Sequence, residues 1–441
     1  MATKDQNNPG FMEKIVNLAK RRGFVFQNSD IYGGLASSYD YGPLGVELKN
    51  NIKRLWWEMF VHQRKDMVGI DGNIIMSPKV WEASGHVEKF KDPLVECKKC
   101  HKRFCLDKLS DHPKCPECSG PLTKERYFSG MFKTVIGPVE EEGMATYLRP
   151  ETAQAIFINF KNVLNSTNKR VPFGIAQIGK AFRNEITTGN FIFRTYEFEQ
   201  LEIEYFISPK TNWQKIFDGF LKDMHKFGEA VGLNKKKYFD HTIPESERAH
   251  YSKKTIDIEY EWPFGRDELW GLAYRTDYDL LSHQKYSGID LSYTDPVSGE
   301  KYIPHVIEPS LGLDRTVLAI LVEAYYEEKV RGETRVVLRL PKTVSPVQIA
   351  VLPLSKDRKL SPLAKKVFDT LKNDFVCEYD ETQSIGRRYR RQDEIGTPLC
   401  VTVDFESLVD NRVTVRDRDT MKQERIKLND LLDYIKDYYQ N

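Results

Sequence analysis

The segment from residue 182 to residue 206, FRNEITTGNFIFRTYEFEQLEIEYF, constrains the possible fold more than any other part of the chain. Aromatic and branched residues alternate there with other residue types, which is the period-two pattern of a pleated strand. The polar positions hold two arginines and five glutamates, whereas an ordinary solvated sheet face carries serines and lysines. We therefore predict two strands joined by a turn at TTGN, with opposite charges beside rings that favour burial.

The length of the chain predicts more than one domain. A chain of 441 residues exceeds what one ordinary core accommodates, so two or three domains are expected. A composition of 40% hydrophobic and 29% charged residues is typical of globular enzymes. Because the formal net charge is only +2, any contact with nucleic acid must come from local basic patches.

The N-terminus and the hydropathy pattern argue against export and membrane insertion. The first residues, MATKDQNNPG, contain neither an apolar core nor a cleavage site, and no apolar run reaches the roughly 18 residues of a membrane span. We therefore expect a cytoplasmic protein with no membrane partner. There, the seven cysteines are expected as reduced thiols, with metal binding favoured over disulfides.

Changes in composition and hydrophobic periodicity along the chain predict the domain boundaries. A strand-like run, GNIIMSP, ends at Pro78, a second helix begins near Pro150, and strands dominate residues 171–206. A large domain is expected over residues 1–340, with a lysine- and cysteine-rich insertion at about 91–130 and a helical one at about 207–255. Strand and helix patterns alternate in residues 346–441, which predicts a small α/β domain. The first helix follows Pro43, with one apolar face formed by Leu44, Leu48, Ile52, Leu55 and Met59.

Two cysteine pairs, CKKC and CPEC, predict a metal site. Four thiolates on two such knuckles can surround one zinc ion tetrahedrally at about 2.3 Å. Such a site has no free coordination position, so the zinc would be structural or would help to grip a partner. The alternative is two unrelated exposed pairs. His101, His112 and Cys105 lie between the pairs, and exchange of one cysteine ligand for a histidine is a second alternative. The predicted ligands are Cys97, Cys100, Cys115 and Cys118.

The segment GIAQIGKA, residues 174–181, imitates a phosphate-binding loop through its glycine spacing and its lysine. It lacks the serine or threonine that would hold magnesium, and it continues as a strand where a phosphate loop has to open a helix. No GxGxxG follows a predicted strand either. A bound nucleotide would therefore need another architecture.

The charges of the predicted strand pair suit a charged ligand. We expect Arg183 and Glu185 on one face of the first strand, and Arg194, Phe198 and Glu202 on one face of the second. An arginine fork binds a phosphate through two hydrogen bonds, and an adjacent ring stacks on a base. The glutamates could accept an ammonium group or an exocyclic amine. The alternative is a solvated face with weak cross-strand ion pairs.

A third signal is the segment EPSLGLDRTVLAIL, residues 308–321. It places Arg315 in the first turn of an apolar helix, where a cation opposes the helix dipole. An anion such as a triphosphate would compensate that cation. Capping chemistry alone is the alternative explanation of the glycine and the acid at this helix start.

These segments resemble one family. FRNE before a strand and GLDR opening an apolar helix resemble motifs 2 and 3 of the class II aminoacyl-tRNA synthetases, and residues 44–78 resemble motif 1, which builds the dimer interface in that class. More narrowly, the chain resembles the homodimeric glycyl-tRNA synthetases, in order and over nearly its whole length. The matching blocks are SSYDYGPLGVELKNNIK, RPETAQAIF, FRNEI with FRTYEFEQLEIEYF, EPSLGLDR and RRYRRQDEIGTP.

The resemblance implies an α+β fold. Its parts would be a class II antiparallel catalytic sheet of six or seven strands flanked by helices, a zinc-ribbon-like insertion and a C-terminal α/β anticodon-binding domain. The implied function is the ATP-dependent attachment of glycine to tRNA(Gly) through glycyl-adenylate, by a homodimer that uses Mg²⁺ with ATP.

The family's motifs also imply the ATP site. Arg183 would hold the α-phosphate and Glu185 the adenine edge or the tRNA end, while Phe198 would stack on adenine. Arg194 would reach the outer phosphates, and Arg315 would cover the other adenine face. Arg183 and Arg315 are the implied catalytic residues. The implied ATP-binding set is Arg183, Asn184, Glu185, Phe193, Arg194, Phe198, Glu268, Leu269, Gly312, Asp314 and Arg315.

Glycine and tRNA contacts are implied in the same way. The carboxylates and the serine that hold glycine in the family match Glu151, Glu202, Glu308 and Ser310. The basic segment SIGRRYRRQ would contact tRNA, with an ordinary basic surface turn as the alternative. Its implied contacts are Arg387, Arg388, Tyr389, Arg390 and Arg391.

One position departs from the family pattern, and two other functions compete. In RFCLDKL, Cys105 stands where the family usually has an arginine near the substrate, so no role is carried over there. A class II synthetase for threonine, proline or histidine is one competitor, against which the glutamates of FEQLE and EPS argue. A non-catalytic, synthetase-derived RNA-binding protein is the other, against which intact Arg183, Glu185 and Arg315 argue.

Overall fold

The computed structural model describes residues 10–106, 109, 114–138, 143–186, 189–330 and 332–440. Helices up to residue 324 are α1 (Phe11–Arg22), α2 (Pro43–Trp57), α3 (Pro78–Ala83), α4 (His86–Lys89), α5 (Ala153–Ser166), α6 (Trp213–Ala230), α7 (Tyr278–Ser287) and α8 (Leu313–Ala324). Strands in the first half are β1 (Val25–Gln27), β2 (Tyr39–Tyr41), β3 (Met67–Gly69), β4 (Lys91–Glu96), β5 (Arg103–Cys105), β6 (Arg126–Ser129), β7 (Lys133–Ile136), β8 (Met144–Tyr147), β9 (Phe173–Phe182) and β10 (Glu197–Ile207).

The remaining elements complete the large domain and build a second one. The large domain continues with β11 (Tyr238–Thr242), β12 (Lys254–Trp262), β13 (Gly265–Thr276), β14 (Tyr293–Thr294), β15 (Lys301–Tyr302), β16 (His305–Gly312), β17 (Tyr325–Val330) and β18 (Glu333–Leu338). The C-terminal elements are β19 (Ile349–Pro353), α9 (Leu360–Leu371), β20 (Cys377–Tyr379), α10 (Ile385–Ile395), β21 (Leu399–Val403), α11 (Ser407–Asp410), β22 (Arg412–Asp417), β23 (Gln423–Lys427) and α12 (Leu431–Gln440).

A seven-stranded sheet organises the large domain. Its strand order is β11-β12-β13-β16-β10-β9-β3, and neighbouring strands run antiparallel except for the parallel β3–β9 pair at one edge. The register places Glu202 of β10 opposite Ser310 of β16, and Glu308 of β16 opposite Ala273 of β13. The central strands therefore bring acidic positions that are far apart in sequence onto one part of the sheet.

The alternation along β10 separates a core face from a polar face. Leu201, Ile203 and Tyr205 point into the largest hydrophobic cluster, together with side chains of α2, α6 and α8. Between them, Glu202 and Glu204 point to the opposite side, where Phe206 packs against α5. The period-two pattern predicted from the sequence is confirmed. In the middle of the strand the apolar side chains and the glutamates therefore belong to different faces, and the Phe206 ring shares the glutamate face at the end of the strand.

Helix α6 is part of the core. Its residues Phe217, Phe220, Met224 and Phe227 are buried in the cluster that covers one face of the sheet. The lysine-rich side of the helix suggested a helical insertion in residues 207–255. In the structure this helix packs its apolar face against β13 and β16.

Two strand predictions need correction. The run GNIIMSP forms only an isolated bridge between Ile75 and Leu148, because its carbonyl groups bond to side chains: Gly72 accepts from Arg149 Nη1 at 2.6 Å and Met76 from Thr146 Oγ1 at 2.7 Å. The short edge strand is β3. The first strand of the predicted pair is also shorter than expected: β9 ends at Phe182, and the connection to β10 begins there.

Arg183, Glu185 and Arg194 therefore lie in the β9–β10 connection and do not share strand faces, contrary to the sequence-based expectation. The Arg183 amide still donates to Tyr196 O at 2.9 Å, but that of Asn184 turns to Gly130 O at 2.8 Å. Thr187 and Thr188 of the predicted TTGN turn lie outside the described residues.

Packing explains the glycine spacing by which GIAQIGKA resembles a phosphate-binding loop. GIAQIGKA lies within β9, as its strand pattern predicts. A Cβ atom at Gly179 would come within 2.2 Å of Arg149 Nη2. The glycine makes room for this buried arginine, whose Nε donates to the Lys180 carbonyl at 2.6 Å.

The cysteine-rich insertion forms a small sheet of its own, with strand order β5-β4-β6. Isolated bridges join Cys97 to Leu122 and Lys114 to Pro121. This arrangement fits the zinc-ribbon-like insertion predicted for residues 91–130. His112 lies outside the described residues.

The C-terminal domain is the predicted α/β unit. Its sheet has the order β20-β19-β21-β22-β23, with the first three strands parallel. Asp393 of α10 accepts from Arg335 Nε of β18 at 2.7 Å and from Arg416 Nη1 of β22 at 2.9 Å. All three side chains are buried, so this cluster joins the two domains. Among the described residues, none of the helices combines the length and the apolar character needed to cross a bilayer.

Candidate active site

A cavity of about 360 Å³ opens over the polar face of the central sheet. It is called the acid pocket here, because Glu151, Glu202 and Glu308 border it together with Ser310. β10 supplies Glu202, β16 supplies Glu308 and Ser310, and Glu151 lies just before α5. The structure thus brings together all four residues that the resemblance implied for glycine.

Hydrogen bonds fix the carboxylate of Glu202 in the acid pocket. Ser310 Oγ donates to Glu202 Oε1 at 2.8 Å, and Thr152 Oγ1 donates to Oε2. Gln200 Nε2 lies 3.4 Å from both Glu202 Oε1 and Ser310 Oγ. Since Glu202 is only 1% exposed, this network holds a buried carboxylate in one orientation.

Arg275 contacts one of these acids, Glu308, directly. Its Nη1 donates to Glu308 Oε1 at 2.9 Å, and Nε and Nη2 donate to the two oxygens of Asp279 at 2.8 and 2.9 Å. The guanidinium lies 3.8 Å from the ring centroid of Tyr251. Each of its three nitrogens is thus engaged, which favours a single orientation of the group.

Burial and mutual repulsion shift the pKa values of the pocket acids in different directions. Burial raises the pKa of Glu308 to about 8; Arg275 opposes this rise and Glu202 adds to it. Burial and the Glu151 charge raise the pKa of Glu202. For Glu151, burial raises the pKa, but His86 and Arg275 outweigh it and keep that pKa below its ordinary range. The pocket therefore holds more acidic groups than basic ones, which suits a cationic ligand.

A second, smaller cavity of about 60 Å³ adjoins the start of α8. It is called the arginine cavity here, because Arg183, Arg194 and Arg315 border it. The remaining lining residues are Glu185, Ile192, Phe193, Thr195, Phe198, Gly312 and Asp314. Three guanidinium groups beside two phenylalanine rings can bind phosphates next to an aromatic base.

Arg183 borders both cavities. Its Nε donates to the Pro150 carbonyl at 3.1 Å, and its guanidinium lies 5.3 Å from the Phe198 ring and 5.8 Å from the Phe90 ring. One cation is thus shared between the pocket of carboxylates and the cavity of arginines.

Arg315 closes the far side of the arginine cavity. Its Nη1 donates to Glu268 Oε2 at 3.0 Å, and its guanidinium lies 4.4 Å from the Phe193 ring. For Glu268, burial raises the pKa, but the charges of Arg315, Arg183 and Arg194 outweigh it and lower that pKa. The carboxylate of Glu268 is therefore held ionised at the border of the acid pocket, in contact with Arg315 of the arginine cavity.

Three residues implied for ATP do not present their side chains to the arginine cavity. The carboxylate of Asp314 accepts from Tyr41 Oη at 2.5 Å and from the Glu199 amide at 2.7 Å, so it is engaged within the fold. Leu269 is buried in the core, and Asn184 borders neither cavity. Any nucleotide contact of Asp314 or Leu269 would come from the main chain.

Comparison with known families matches both domains. Residues 132–325 match the tRNA synthetase class II core domain (G, H, P, S and T), and residues 348–438 match the anticodon binding domain. Together these regions contain the acid pocket, the arginine cavity and the C-terminal sheet.

Three full-length relatives are named glycine--tRNA ligase. One from Caldanaerobacter subterraneus subsp. tengcongensis is 53% identical, covering 97% of this chain and 98% of the relative. One from Thermobifida fusca is 51% identical over 96% of this chain and 97% of its own length. A third, from Treponema denticola, is 51% identical over 98% of this chain and 97% of its own length.

The chain belongs to the glycine--tRNA ligase family. Its fold also resembles the crystal structure of a prolyl-tRNA synthetase from Cryptosporidium parvum, complexed with halofuginone and AMPPNP, with a TM-score of 0.69. That match covers 100% of this chain and 77% of the other at 15% sequence identity, and it supports the class II architecture alone.

The four cysteines of this ligase-family chain form one cluster. The sulfur atoms of Cys97, Cys100, Cys115 and Cys118 all lie within 4.8 Å of one another. Cys97 and Cys118 are 3.4 Å apart, and Cys100 and Cys115 are 3.6 Å apart. Sulfurs around a tetrahedral zinc at about 2.3 Å would be separated by roughly 3.8 Å. The cluster therefore fits zinc in size, ligand number and ligand type.

The environment of Cys97 also suits a metal thiolate. The amides of Cys100 and Lys99 donate to its sulfur at 3.4 and 3.3 Å, and such bonds, that of Cys100 above all, lower the pKa of Cys97 to about 6. His101 points outward beside Glu96, and Cys105 lies on β5 outside the cluster. The structure therefore favours four cysteines over a ligand set that includes His101.

The arginines implied for tRNA binding occupy α10, which is a helix and not a basic turn. Arg387 is exposed and borders a hollow of about 730 Å³, as do Tyr389, Arg390 and Arg391. Arg388 is fully buried, and it donates to the carbonyls of Pro353, Asp380 and Leu354 at 2.5, 2.9 and 3.0 Å. The helix thus separates surface arginines from one that holds the domain together.

Several pocket residues were missed in the sequence. Gln200 alternates with Phe198 and Glu202 on β10, so the period-two pattern could have placed it on the polar face. The pair Arg275 and Asp279 has the i,i+4 spacing of an ion pair in the segment RTDYD. Tyr251 follows no pattern that marks a site.

Proposed function

We propose that this chain activates glycine with ATP and transfers it to tRNA(Gly), with the acid pocket as the glycine site and the arginine cavity as the phosphate site. Family membership supports the overall reaction. One observation carries the assignment of the sites: Arg183 borders both cavities. Glycine and the α-phosphate would then meet at a shared cation.

The acid pocket suits the ammonium group of glycine. Glu151, Glu202 and Glu308 supply carboxylates around a buried space, and Ser310 holds Glu202 in orientation. A ligand without a side chain has to be recognised by this charge and by walls that larger amino acids would meet. Tyr251 forms part of one such wall, and the Arg275 guanidinium lies 3.8 Å from the centroid of its ring.

The arginine cavity suits part of a bent ATP molecule with Mg²⁺. Arg183 would hold the α-phosphate, Arg194 the outer phosphates, and Phe198 with Arg315 the two faces of adenine. A volume of about 60 Å³ is too small for a whole nucleotide, so we expect the contact between Arg315 and Glu268 to open on binding. A bound Mg²⁺ neutralises phosphate charge, and Glu268 offers an ionised carboxylate for it.

The first step is an in-line displacement. A carboxylate oxygen of glycine attacks the α-phosphorus of ATP, a new P–O bond forms, and the bond from the α-phosphorus to the bridging oxygen breaks. Pyrophosphate leaves, and Arg183 and Arg315 would neutralise the charge that develops on the α-phosphate. A terminal ribose hydroxyl of tRNA then attacks the glycyl carbonyl, and AMP leaves. We assign no general base.

The other assignments follow the same family pattern. Arg387, Arg390 and Arg391, with Tyr389, line a basic hollow that suits an unstacked anticodon base and its phosphates. We propose a structural zinc ion at the four cysteines. We also propose a homodimer located in the cytoplasm. Dimer formation would cover apolar side chains that are 41 to 88% exposed near the N-terminus, namely Phe26, Ile31, Tyr32 and Leu35.

Amino-acid-dependent exchange of pyrophosphate into ATP tests the proposal. We expect exchange with glycine, and none with threonine, proline or histidine. Arg183→Ala should abolish exchange while the protein stays folded and dimeric. Exchange at the wild-type rate in that variant would remove Arg183 from the mechanism. Binding of tRNA without ATP binding would favour the non-catalytic RNA-binding alternative.

Glu202→Gln tests the glycine site separately from the phosphate site. The substitution keeps the shape and removes the charge, so KM for glycine should rise at least about tenfold. KM for ATP should not change. An unchanged KM for glycine would contradict the assignment of the acid pocket.

A further inference from the structure

Glu204 lies directly behind the acid pocket and takes no part in the proposed reaction. It follows Glu202 by two residues on β10, so both side chains point to the same side of the sheet. The side chain is fully buried. Among the described residues, neither of its carboxyl oxygens has a hydrogen-bond partner. A buried carboxylate without donors is strongly disfavoured.

The neighbouring carboxyl groups already have donors. One carboxyl oxygen from each of Glu202, Glu204 and Glu308 lies within 4.8 Å of the other two. Glu202 accepts from Thr152 and Ser310, and Glu308 accepts from Arg275. Arg275 directs its other nitrogens to Asp279. Of the three glutamates, Glu204 is therefore the one that no donor favours in its ionised form.

The charges around Glu204 also disfavour its ionised form. It faces Glu202 on its own strand, Glu308 on β16, Arg275 on β13 and Asp279 on α7. Ile175 of β9 pairs with it on the remaining side. Burial raises the pKa of Glu204 well above its ordinary value, Glu308 raises it further, and Arg275 opposes the rise. When close carboxyl groups share a proton, it resides on the group with the poorest support for negative charge.

We propose that Glu204 is a neutral carboxylic acid in the folded protein and positions Glu202 and Glu308 for the ammonium group of glycine. This inference rests on the proposed glycine site. One oxygen of each neighbour lies within 4.8 Å of a Glu204 oxygen, so a neutral Glu204 adds no further negative charge to the group and leaves less repulsion among its members. Glu204 is a positioning residue, because Glu202 and Glu308 border the acid pocket and Glu204 does not.

Two matched variants on one strand test the proposal. Glu204→Gln replaces a neutral group by a neutral one of the same shape, so KM for glycine should stay within about twofold of wild type. Glu202→Gln removes a charge two residues away and should raise KM at least about tenfold. The readout is glycine-dependent pyrophosphate exchange at saturating ATP.

Infrared spectroscopy gives a readout that does not depend on activity. Protein labelled with ¹³C-glutamate should show the C=O band of a protonated glutamate at pH 9, well above the ordinary glutamate pKa of about 4.3. Glu204→Gln should remove that band, and Glu202→Gln should retain it. If Glu204→Gln does not fold, the presence or absence of the band in wild type at pH 9 still decides the question.

The outcomes separate the two proposals. Absence of the band in wild type, or an equal rise in KM for both variants, would overturn the neutral state of Glu204 and leave the glycine site standing. An unchanged KM in Glu202→Gln would instead overturn the glycine site, while the band would still report the protonation of Glu204.

Discussion

Arg315 Nη1 donates to the Glu268 carboxylate at 3.0 Å and to the Glu268 carbonyl at 2.9 Å. The same guanidinium covers the Phe193 ring. If a nucleotide binds in the arginine cavity, the Arg315 guanidinium has to exchange its contact with the Glu268 carboxylate for contacts with phosphate. It also has to lie flat over the adenine base. The planar fork of arginine can do both, and the ammonium group of lysine cannot.

We therefore expect Arg315→Lys to raise KM for ATP about tenfold or more and to leave KM for glycine nearly unchanged. Pyrophosphate exchange at varied ATP measures this. Arg266→Lys is a matched control, because Arg266 also lies over a ring, that of Phe239, but borders neither cavity. An equal effect of both substitutions would refute a specific role of Arg315.

The ionisation of Glu308 should make kcat/KM for glycine depend on pH. Burial raises the pKa of its carboxyl group to about 8, so the group is mostly protonated at pH 7 and mostly ionised at pH 9. Only the ionised form attracts an ammonium group, so kcat/KM for glycine should rise between pH 7 and about pH 8.5. Since kcat/KM reports the free enzyme, Glu308→Gln should lower it and flatten this rise. A rise of the same size in the variant would assign it to another group.

Removal of the proposed zinc should destabilise the insertion. We expect about one zinc ion per chain in the wild type, and its loss together with a lower Tm in Cys97→Ser. Metal analysis and thermal unfolding measure the two effects. Cys105→Ser is the control, because Cys105 lies outside the cysteine cluster. Full metal content in Cys97→Ser would exclude the four-cysteine site.

Adjacent arginines of α10 should behave differently. Arg387→Ala removes an exposed cation and should weaken tRNA binding with little change in stability. Arg388→Ala removes the donor from one buried and two partly buried carbonyls, which should lower the free energy of unfolding by about 1–3 kcal/mol. Filter binding at two salt concentrations and denaturant unfolding distinguish the variants. Weaker tRNA binding by a fully stable Arg388→Ala would reverse this assignment.

The junction between the domains offers a stability test. Asp393 accepts hydrogen bonds from Arg335 and Arg416 in a buried cluster. Asp393→Ala removes the carboxylate that buried Arg416 contacts and one of the two carboxylates that Arg335 contacts, the other being Glu328, and we expect a loss of about 3–5 kcal/mol in the free energy of unfolding. Asp433→Ala, at an exposed position of α12, should change it by less than about 0.5 kcal/mol. Equal effects would mean that the cluster does not stabilise the junction.

The sequence predicted the elements that have a strong local period. The apolar spacing after Pro43, the alternation in β10 and the strand–helix repeats beyond residue 346 all correspond to elements of the structure. The predictions of a strand at GNIIMSP and of the position where β9 ends were wrong. There, distant partners decide the conformation: Arg149 and Thr146 take the carbonyl groups of the first segment, and Gly130 accepts from the Asn184 amide.

The candidate site was predictable only where motifs exist. Motif resemblance pointed to Glu151, Glu202, Glu308 and Ser310, which all border the acid pocket. It could not indicate that the Asp314 carboxylate faces Tyr41, or that Arg388 is buried, because burial depends on contacts between distant segments. Arg275 and Glu204 belong to no motif, and their environment exists only after the strands pair.

Strand β10 carries side chains of the hydrophobic core and the glutamate of the acid pocket, Glu202, at alternate positions. Inserting or deleting one amino acid between Phe198 and Glu204 would exchange the two faces for the residues beyond that point. Glutamates would then point into the hydrophobic core, and apolar side chains would point toward the acid pocket. Changes of specificity in this scaffold must therefore arise by exchanging residues at fixed length.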